Sequence, residues 1–181
     1  MTRPTVRLAR IANPFLTFVR HASNVRQRAV VSSFICSPPS DSEPGLKFAL
    51  FKRSKDLSTY PDKWAVCSGS IEPTDANSLE AAKREILEET KLQDSDITLL
   101  KSGTPYNLVD GELGTEWIIH PFLWQIKEGA RSIQIGPEHS KYEFVAKEAL
   151  SDYPHVPNLE MGLWRVMTNP NTVTEDQVAA D

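Results

Sequence analysis

The chain has 181 residues, of which 40% are hydrophobic and 24% are charged, and its formal net charge is −4. This length and composition suit one globular domain with a buried core, and the acidic balance gives no general signal for binding nucleic acid. The two cysteines, Cys36 and Cys67, form neither a disulfide framework nor a zinc-binding pattern. No apolar stretch approaches the ~20 residues that a membrane-spanning helix needs, so there is no membrane signal either.

The N-terminal region is basic. No Asp or Glu precedes Asp41, whereas arginines stand at positions 3, 7, 10, 20, 26 and 28. An Arg-rich, acid-free start is typical of a mitochondrial presequence. We therefore predict a presequence over residues 1–22, a location in mitochondria, a folded domain over residues 23–168 and a loose tail over residues 169–181. A disordered basic tail or a basic first strand is the alternative, with a cytoplasmic location.

The apolar pattern predicts an alternation of strands and helices along the chain. Strands are expected over residues 28–35, 47–52, 64–68, 94–102, 115–126 and 143–145. Helices are expected from about residue 77, over residues 147–150 and over residues 159–167. Pro121 indicates a sheet edge or a bulge. This order of elements fits an α/β fold in which a mixed sheet lies between helices.

The helix that starts near residue 77 has a recognisable beginning and a buried side. Asn77 is an acceptable N-cap, and Glu80 follows it by three residues, as in a capping box. Arg84 is four residues from both Glu80 and Glu88 and can pair with either. One side of the helix is apolar and should face a core. That side consists of Leu79, Ala82, Ile86 and Thr90.

The most informative stretch is Arg84-Glu85-Ile86-Leu87-Glu88-Glu89. On a helix, Glu85, Glu88 and Glu89 fall within roughly a third of the circumference. Three like charges this close repel one another unless they are fully solvated or a cation lies among them. Carboxylate oxygens are hard ligands, so the implied cation is Mg²⁺ or a related ion. For these six residues alone, however, an ordinary acidic helix surface is the better interpretation.

The residues upstream of the helix change that interpretation. Gly69-Ser70-Ile71-Glu72-Pro73-Thr74-Asp75, followed by Arg84-Glu85, Glu88-Glu89 and Leu92, resembles the signature of the Nudix hydrolases. The resemblance is specific over residues 69–92 and extends less sharply over most of the chain. It implies an α/β/α sandwich with a mixed β-sheet. It also implies an enzyme that uses Mg²⁺, or alternatively Mn²⁺, to cleave a diphosphate in a small, nucleotide-like substrate.

Two positions depart from the signature. The loop before the helix is one residue longer than usual, and Asp75 is the expected stand-in for the first acidic residue of the signature. Lys91 occupies the position of a glycine that can adopt the left-handed conformation at a helix end. We expect Lys91 to adopt this conformation at a cost on the order of 1 kcal/mol. If the insertion shifts the register instead, Lys91 remains helical.

The resemblance implies roles for individual side chains. Glu88 and Glu89 are expected to bind metal, together with the backbone carbonyl of Gly69. Glu85 is expected to be either a further ligand or the general base. Arg84 is expected to orient a glutamate rather than to contact the substrate.

The remaining candidates are weaker. Many Nudix proteins have Glu-His and then an aromatic residue before the last strand, which here begins at Glu138. Glu138 therefore either reaches the metal site or belongs to a solvated loop. The four histidines, at positions 21, 120, 139 and 155, show no metal-ligand spacing and are expected to be surface residues or locally bonded.

The resemblance leaves the substrate and the alternative to catalysis open. Substrate choice is expected to lie in loops and pocket walls, for which residues 37–45 and 106–114 are candidates. The alternative to an enzyme is a non-catalytic Nudix-fold protein of mitochondria, either a ribosome-associated subunit or a nucleotide-binding sensor. A ribosome-associated subunit does not need a complete set of carboxylates, so their presence favours the enzyme over it, whereas a sensor would keep the metal but hydrolyse slowly.

Overall fold

The computed structural model describes residues 25–38 and 45–168. The predicted presequence, the predicted C-terminal tail and most of the predicted 37–45 loop lie outside these residues. Within the described ranges, no helix has the length and apolar character needed to cross a membrane.

A single mixed sheet organises the described residues. The long strands β1 and β7 run parallel, with Cα partners from Arg26 and Thr115 to Cys36 and Gln125. The other pairings in the described sheet are antiparallel. This arrangement confirms the predicted mixed sheet. The strands are β1 (Arg26–Cys36), β2 (Lys47–Arg53), β3 (Trp64–Ala65), β4 (Cys67–Ser70), β5 (Ile97–Ser102), β6 (Tyr106–Asp110), β7 (Thr115–Ile126) and β8 (His139–Ala146).

Two α-helices cover the sheet, α1 (Ser78–Thr90) and α2 (Leu159–Thr168), and a short 3-10 helix (Lys147–Asp152) follows β8. Alternate residues of a strand point to opposite faces, and β1 shows this directly. Val31 and Ile35 join the core that contains the buried side of α1. Phe34 and Cys36 join the core that contains the buried side of α2. The helices therefore lie on opposite faces, which confirms the predicted α/β/α sandwich.

Both ends of α1 follow from local sequence. The side chain of Asn77 accepts a hydrogen bond from the Glu80 N–H at 3.0 Å, as expected for an N-cap. At the other end, Lys91 has φ 62°, in the left-handed region, and its N–H donates to the Leu87 carbonyl at 3.1 Å. The apolar side is buried as predicted. Its residues are Leu79, Ala82, Ile86 and Thr90.

Lys91→Gly is expected to raise the free energy of unfolding by about 0.5 kcal/mol. Glycine removes the left-handed strain of ~1 kcal/mol, but it gives the unfolded chain more freedom. It also loses the bond from the Lys91 amine to the Glu88 carbonyl, which measures 3.1 Å. Chemical denaturation of both proteins measures the difference.

Lys91→Ala is the matched control for this prediction. It removes the same amine contact but keeps the left-handed strain, so it should give no stabilisation. A lower stability of Lys91→Gly than of wild type would contradict a strained helix end.

The structure corrects the element boundaries predicted between residues 64 and 146. The 106–114 stretch, a candidate substrate loop or pocket wall, is largely strand rather than loop, because β6 occupies Tyr106–Asp110 and pairs with the first half of β7. Its polar members, such as Asn107 and Asp110, weaken the apolar alternation on which strand prediction depends. The predicted 64–68 strand is divided into β3 and β4. The last strand is longer than predicted and begins at His139.

Pro121 does not mark a sheet edge, because β7 has neighbours on both sides. On one side, pairing with β6 ends at Ile119 and pairing with β5 begins at Phe122. Pro121 lies in the gap between these two strands, and its carbonyl accepts a bond from the Gly103 N–H at 2.8 Å. The N–H that proline lacks would face this gap, so its absence interrupts neither ladder.

Candidate functional site

Gly69 allows β4 to lie directly against the acidic side of α1. β4 pairs with β1, with Gly69 opposite Val31. A Cβ atom at Gly69 would overlap the carboxylate of Glu85. The absence of a side chain is therefore what gives Glu85 its place, and two predicted site residues from different elements are in contact.

Arg84 fixes the position of Glu85. Its guanidinium donates to the Glu85 carboxylate at 2.7 Å, to both oxygens of Asp75 at 3.0 and 2.9 Å, and to the Ser70 carbonyl at 2.9 Å. Its contact with Glu88 is longer, at 3.4 Å. Arg84 thus holds a glutamate of the predicted site while bridging the loop and the helix.

Asp75 is the main carboxylate partner of Arg84, a contact that the sequence did not reveal. The two hydrogen bonds from Arg84 lower the pKa of Asp75 and raise the pKa of Arg84. The Glu72 N–H also donates to Asp75 at 2.7 Å. Of the two pairs on the helix that the sequence allowed, Arg84 forms the one with Glu88, whereas Glu80 lies 3.3 Å from Lys83. Asp75 therefore anchors Arg84 rather than facing the carboxylates of the helix.

Glu89 is a buried carboxylate with an unsatisfied oxygen. Its exposed fraction is 6%, its Oε1 accepts a long bond from the Ser68 N–H at 3.4 Å, and the Cys67 thiol lies close enough to interact with the carboxylate. Among the described residues, Oε2 has no hydrogen-bond partner. Burial, and then the charge of Glu85, raise the pKa of Glu89 to about 8. Burial also raises the pKa of Glu85, although Arg84 opposes the shift.

These donors suit a divalent cation. A buried, unpaired carboxylate oxygen is costly unless a cation or a proton accompanies it. Glu89 and Glu85 supply hard oxygen donors of the type that Mg²⁺ and Mn²⁺ prefer, and the backbone of Gly69 lies against Glu85. The orphan Oε2 of Glu89 is the observation on which this fit depends.

Glu88 and Glu138 lie at the border of this pair. The side chain of Glu88 is 58% exposed. Glu138 is also exposed, but its charge contributes to the raised pKa of both Glu85 and Glu89. In the described part of the chain, no three His, Cys, Asp or Glu side chains already form a group that could hold a metal ion. The structure thus brings Glu85, Glu89 and Gly69 together and leaves Glu88 and Glu138 at the rim.

His139 is a residue of the site that the sequence analysis missed. It was expected to be a surface or locally bonded residue, but it is 6% exposed and its ring packs against Phe51, with centroids 5.0 Å apart. Burial, and then the charge of Arg53, lower the pKa of His139 to about 4, so it is neutral near pH 7. Its Nε2 lies 3.6 Å from Oε2 of Glu89, too far for a hydrogen bond. Its place directly after Glu138 was the available signal.

A cavity of about 280 Å³ opens beside this site, on the face of the sheet that carries α2. Its floor comes from β1, β6 and β7, and its rim from the loop around Tyr60 and the start of α2. Arg28 and Arg53 line it, whereas no Asp or Glu of the described residues does. Arg53 donates from Nε and Nη2 to Thr59, at 3.0 and 2.9 Å. An acid-free cavity with two cations, next to a pair of carboxylates, suits an anionic ligand that a metal ion helps to hold.

Comparison with known proteins identifies the family and the fold. A family model described as NUDIX domain matches residues 27–166, while no curated protein matches the chain. An Ap4A hydrolase from C. elegans, solved as a binary complex, has 16% identity and a TM-score of 0.61, covering 76% of this chain and 93% of that one. The MutT protein from Methanosarcina mazei Go1 has 20% identity and a TM-score of 0.59, covering 77% and 92%.

A third similar structure contains a ligand. The NUDIX domain of Shewanella oneidensis NrtR, complexed with ADP ribose, has 16% identity and a TM-score of 0.56, covering 77% of this chain and 85% of that one. Identities this low establish the shared fold alone. The family match, by contrast, spans most of the described residues, including β4, the Arg84–Glu89 segment and β8. On this evidence, the chain belongs to the NUDIX domain family.

Proposed function

We propose that this protein is a metal-dependent hydrolase that cleaves a diphosphate linkage in a substrate of the nucleoside diphosphate-X type. The observation that carries the proposal is the buried Glu89, whose Oε2 has no hydrogen-bond partner among the described residues. The acid-free cavity beside it supports an anionic substrate. The C. elegans and S. oneidensis relatives, an Ap4A hydrolase and a domain complexed with ADP ribose, support a nucleotide-like one.

Each side chain of the site has a distinct task in this reaction. Glu88 and Glu89 hold the metal with the carbonyl of Gly69; when bound, Mg²⁺ or Mn²⁺ neutralises phosphate charge and activates water. Arg84 occupies Oε1 of Glu85, so Oε2 is the oxygen that accepts the proton of the attacking water. Asp75 keeps Arg84 in place through two bonds.

The surroundings of the site exclude bulk water and orient the diphosphate. Neutral His139 closes the buried side of Glu89 without competing as a cation. Arg53 lines the cavity and lies near enough to Glu89 and Glu138 for their charges to act on it. We assign it to the phosphate oxygens, which a guanidinium binds well. Glu138 is placed to approach the metal from the rim.

The alternative is a non-catalytic NUDIX protein, either a ribosome-associated subunit or a nucleotide sensor. The retained set of Glu85, Glu88 and Glu89, together with the Arg84–Asp75 support, favours the enzyme. These residues argue against a ribosome-associated subunit, which needs no metal site, whereas a nucleotide sensor that keeps the metal differs from the enzyme in its slow turnover.

A substrate screen separates these functions. The purified protein is incubated with nucleoside triphosphates, dinucleoside polyphosphates, nucleotide sugars and coenzyme diphosphates, with Mg²⁺, with Mn²⁺ or with EDTA. We expect at least one compound to be cleaved at its diphosphate, with both metal ions supporting turnover and EDTA abolishing it. Binding of these compounds with no cleavage under any condition would support the sensor instead.

We further propose that the protein is imported into mitochondria through its Arg-rich N-terminal segment. A reporter fused to residues 1–24 is expected to enter mitochondria and to lose about 20 residues, because cationic, acid-free segments are imported and cleaved. Microscopy and the mass of the processed reporter measure both effects. Replacing the arginines at positions 3, 7, 10 and 20 by glutamine is the matched control and should leave the reporter in the cytosol. An intact, cytosolic reporter from the unmodified segment would refute the proposal.

A further inference from the structure

Three residues on neighbouring strands form one row across the floor of the cavity. Arg28 on β1, Trp117 on β7 and Leu108 on β6 are Cα partners across three adjacent strands. All three line the cavity. The next row inward contains Ile119 and Tyr106 in the same way. A guanidinium and an indole thus lie side by side on one face of the sheet, about 5 Å apart at the backbone.

Arg28 has no partner within the described part of the chain. The other described arginines near the cavity are engaged: Arg53 donates to Thr59, and Arg165 lies over the ring of Tyr106 at 4.6 Å. Arg28 makes no hydrogen bond or ion pair with any described residue, although it is partly buried on a central strand. Residues 1–24, which directly precede β1, contain no Asp or Glu.

An unpaired, partly buried cation does nothing for stability. An apolar side chain of similar length would cover the same floor without the cost of desolvating a charge. The described residues that line the cavity include no carboxylate, so the N–H donors of Arg28, which lines it too, are available to a ligand there. Trp117 beside it is partly exposed and offers an aromatic surface on which a planar ring can stack.

We propose that Arg28 and Trp117 form a nucleobase subsite that selects a 6-oxopurine, such as guanine, over adenine. Trp117 stacks on the base, and the fork of Arg28 donates to two acceptors on one edge of the base. Guanine and hypoxanthine present O6 and N7 as adjacent acceptors, whereas adenine presents an N6 amino donor beside N7. The inference rests on the proposed function only in taking this cavity as the place where the substrate lies.

The test is a binding measurement that does not depend on turnover. Affinities of GDP, IDP and ADP are measured by calorimetry in the presence of Mg²⁺. The variants are Arg28→Met, Arg28→Lys and Trp117→Leu, with Arg26→Met as the matched control because Arg26 is exposed and does not line the cavity. Wild type is expected to bind GDP and IDP at least about tenfold more tightly than ADP, as a bidentate arginine contact discriminates.

The variants separate the roles of the two residues. Arg28→Met should lower the affinity for GDP and IDP to that for ADP while leaving the melting temperature equal or higher. Arg28→Lys should not restore the preference, because an ammonium lacks the fork. Trp117→Leu should lower the affinity for all three nucleotides alike, and Arg26→Met should leave all three affinities unchanged.

Several results would overturn the subsite. Equal affinity of wild type for GDP and ADP would do so. An equal loss of affinity for all three nucleotides in Arg28→Met would also overturn it, since Arg28 would then bind phosphates. Preserved base selectivity without hydrolysis of any substrate would refute the proposed enzyme and leave the subsite standing. Hydrolysis without base selectivity would support the proposed enzyme and refute the subsite.

Discussion

Glu89→Gln is expected to reduce hydrolysis about a hundredfold or more and, at the same time, to stabilise the metal-free protein at neutral to alkaline pH. Loss of a charged ligand weakens metal binding and the charge neutralisation that the metal supplies. The stability gain has a different origin, because the carboxylate is buried, with one oxygen unsatisfied. Glutamine has the same shape as glutamate but no charge, so the variant does not bury a charge at this position.

The pH dependence of unfolding tests the second part. The pKa of Glu89 is raised from 4.5 to about 8 in the folded protein, so the folded state holds this proton more tightly than the unfolded state. Wild type should therefore lose stability between about pH 4.5 and pH 8, by roughly 3–5 kcal/mol in EDTA. Glu89→Gln should lack this component, so its advantage grows with pH across the same window. Adding Mg²⁺ should raise the melting temperature of wild type and not of the variant.

Glu88→Gln is the matched comparison. Glu88→Gln should lower activity, because it also removes a metal ligand. The side chain of Glu88 is largely exposed, so this variant should not gain stability in the absence of metal. Glu128→Gln, an exposed residue outside the site, should change neither quantity. Near-normal hydrolysis in both Glu88→Gln and Glu89→Gln would sink the metal-site assignment. A Glu89→Gln stability advantage that is constant with pH would show that the carboxylate does not titrate as described.

The parts of this site that could be predicted depend on local signals. The start and the end of α1 depend on side-chain and backbone bonds within four residues, at Asn77 and Lys91. The order of carboxylates along α1 follows from helix geometry. The buried side of α1 follows from the period of its apolar residues. These features do not need knowledge of the rest of the fold.

The parts that could not be predicted depend on contacts that are distant in sequence or set by loop geometry. Asp75 meets Arg84 because the inserted loop folds back, and nothing in the residue spacing reveals that turn. His139 is buried because β8 pairs with β2 and brings it over Phe51. Residues 106–110 become β6 only because the first half of β7 offers a free edge. The intrinsic strand propensity of a segment matters less than pairing of this kind with a neighbouring strand.

Gly69→Ala is expected to lower hydrolysis by about a hundredfold with little change in stability. A methyl group at this position would overlap the Glu85 carboxylate, which must then leave its place and its 2.7 Å bond from Arg84. Misplacing a reacting group by about 1 Å costs on the order of a hundredfold in rate. The backbone of Gly69 is outside the left-handed region, so alanine adds no backbone strain, and the displaced atoms are the end of a flexible side chain.

The mechanism of this loss can be separated from general damage to the fold. If Gly69→Ala acts through Glu85, the double variant Gly69→Ala/Glu85→Gln should be scarcely less active than Glu85→Gln alone. Both changes would then abolish the same function, that of Glu85. Gly111→Ala is the matched control, since no atom lies within 4 Å of the position of its new methyl group. It should keep full activity. Rates and melting temperatures of the four proteins decide the matter, and full activity in Gly69→Ala would show that the contact of Gly69 with Glu85 does not position the base.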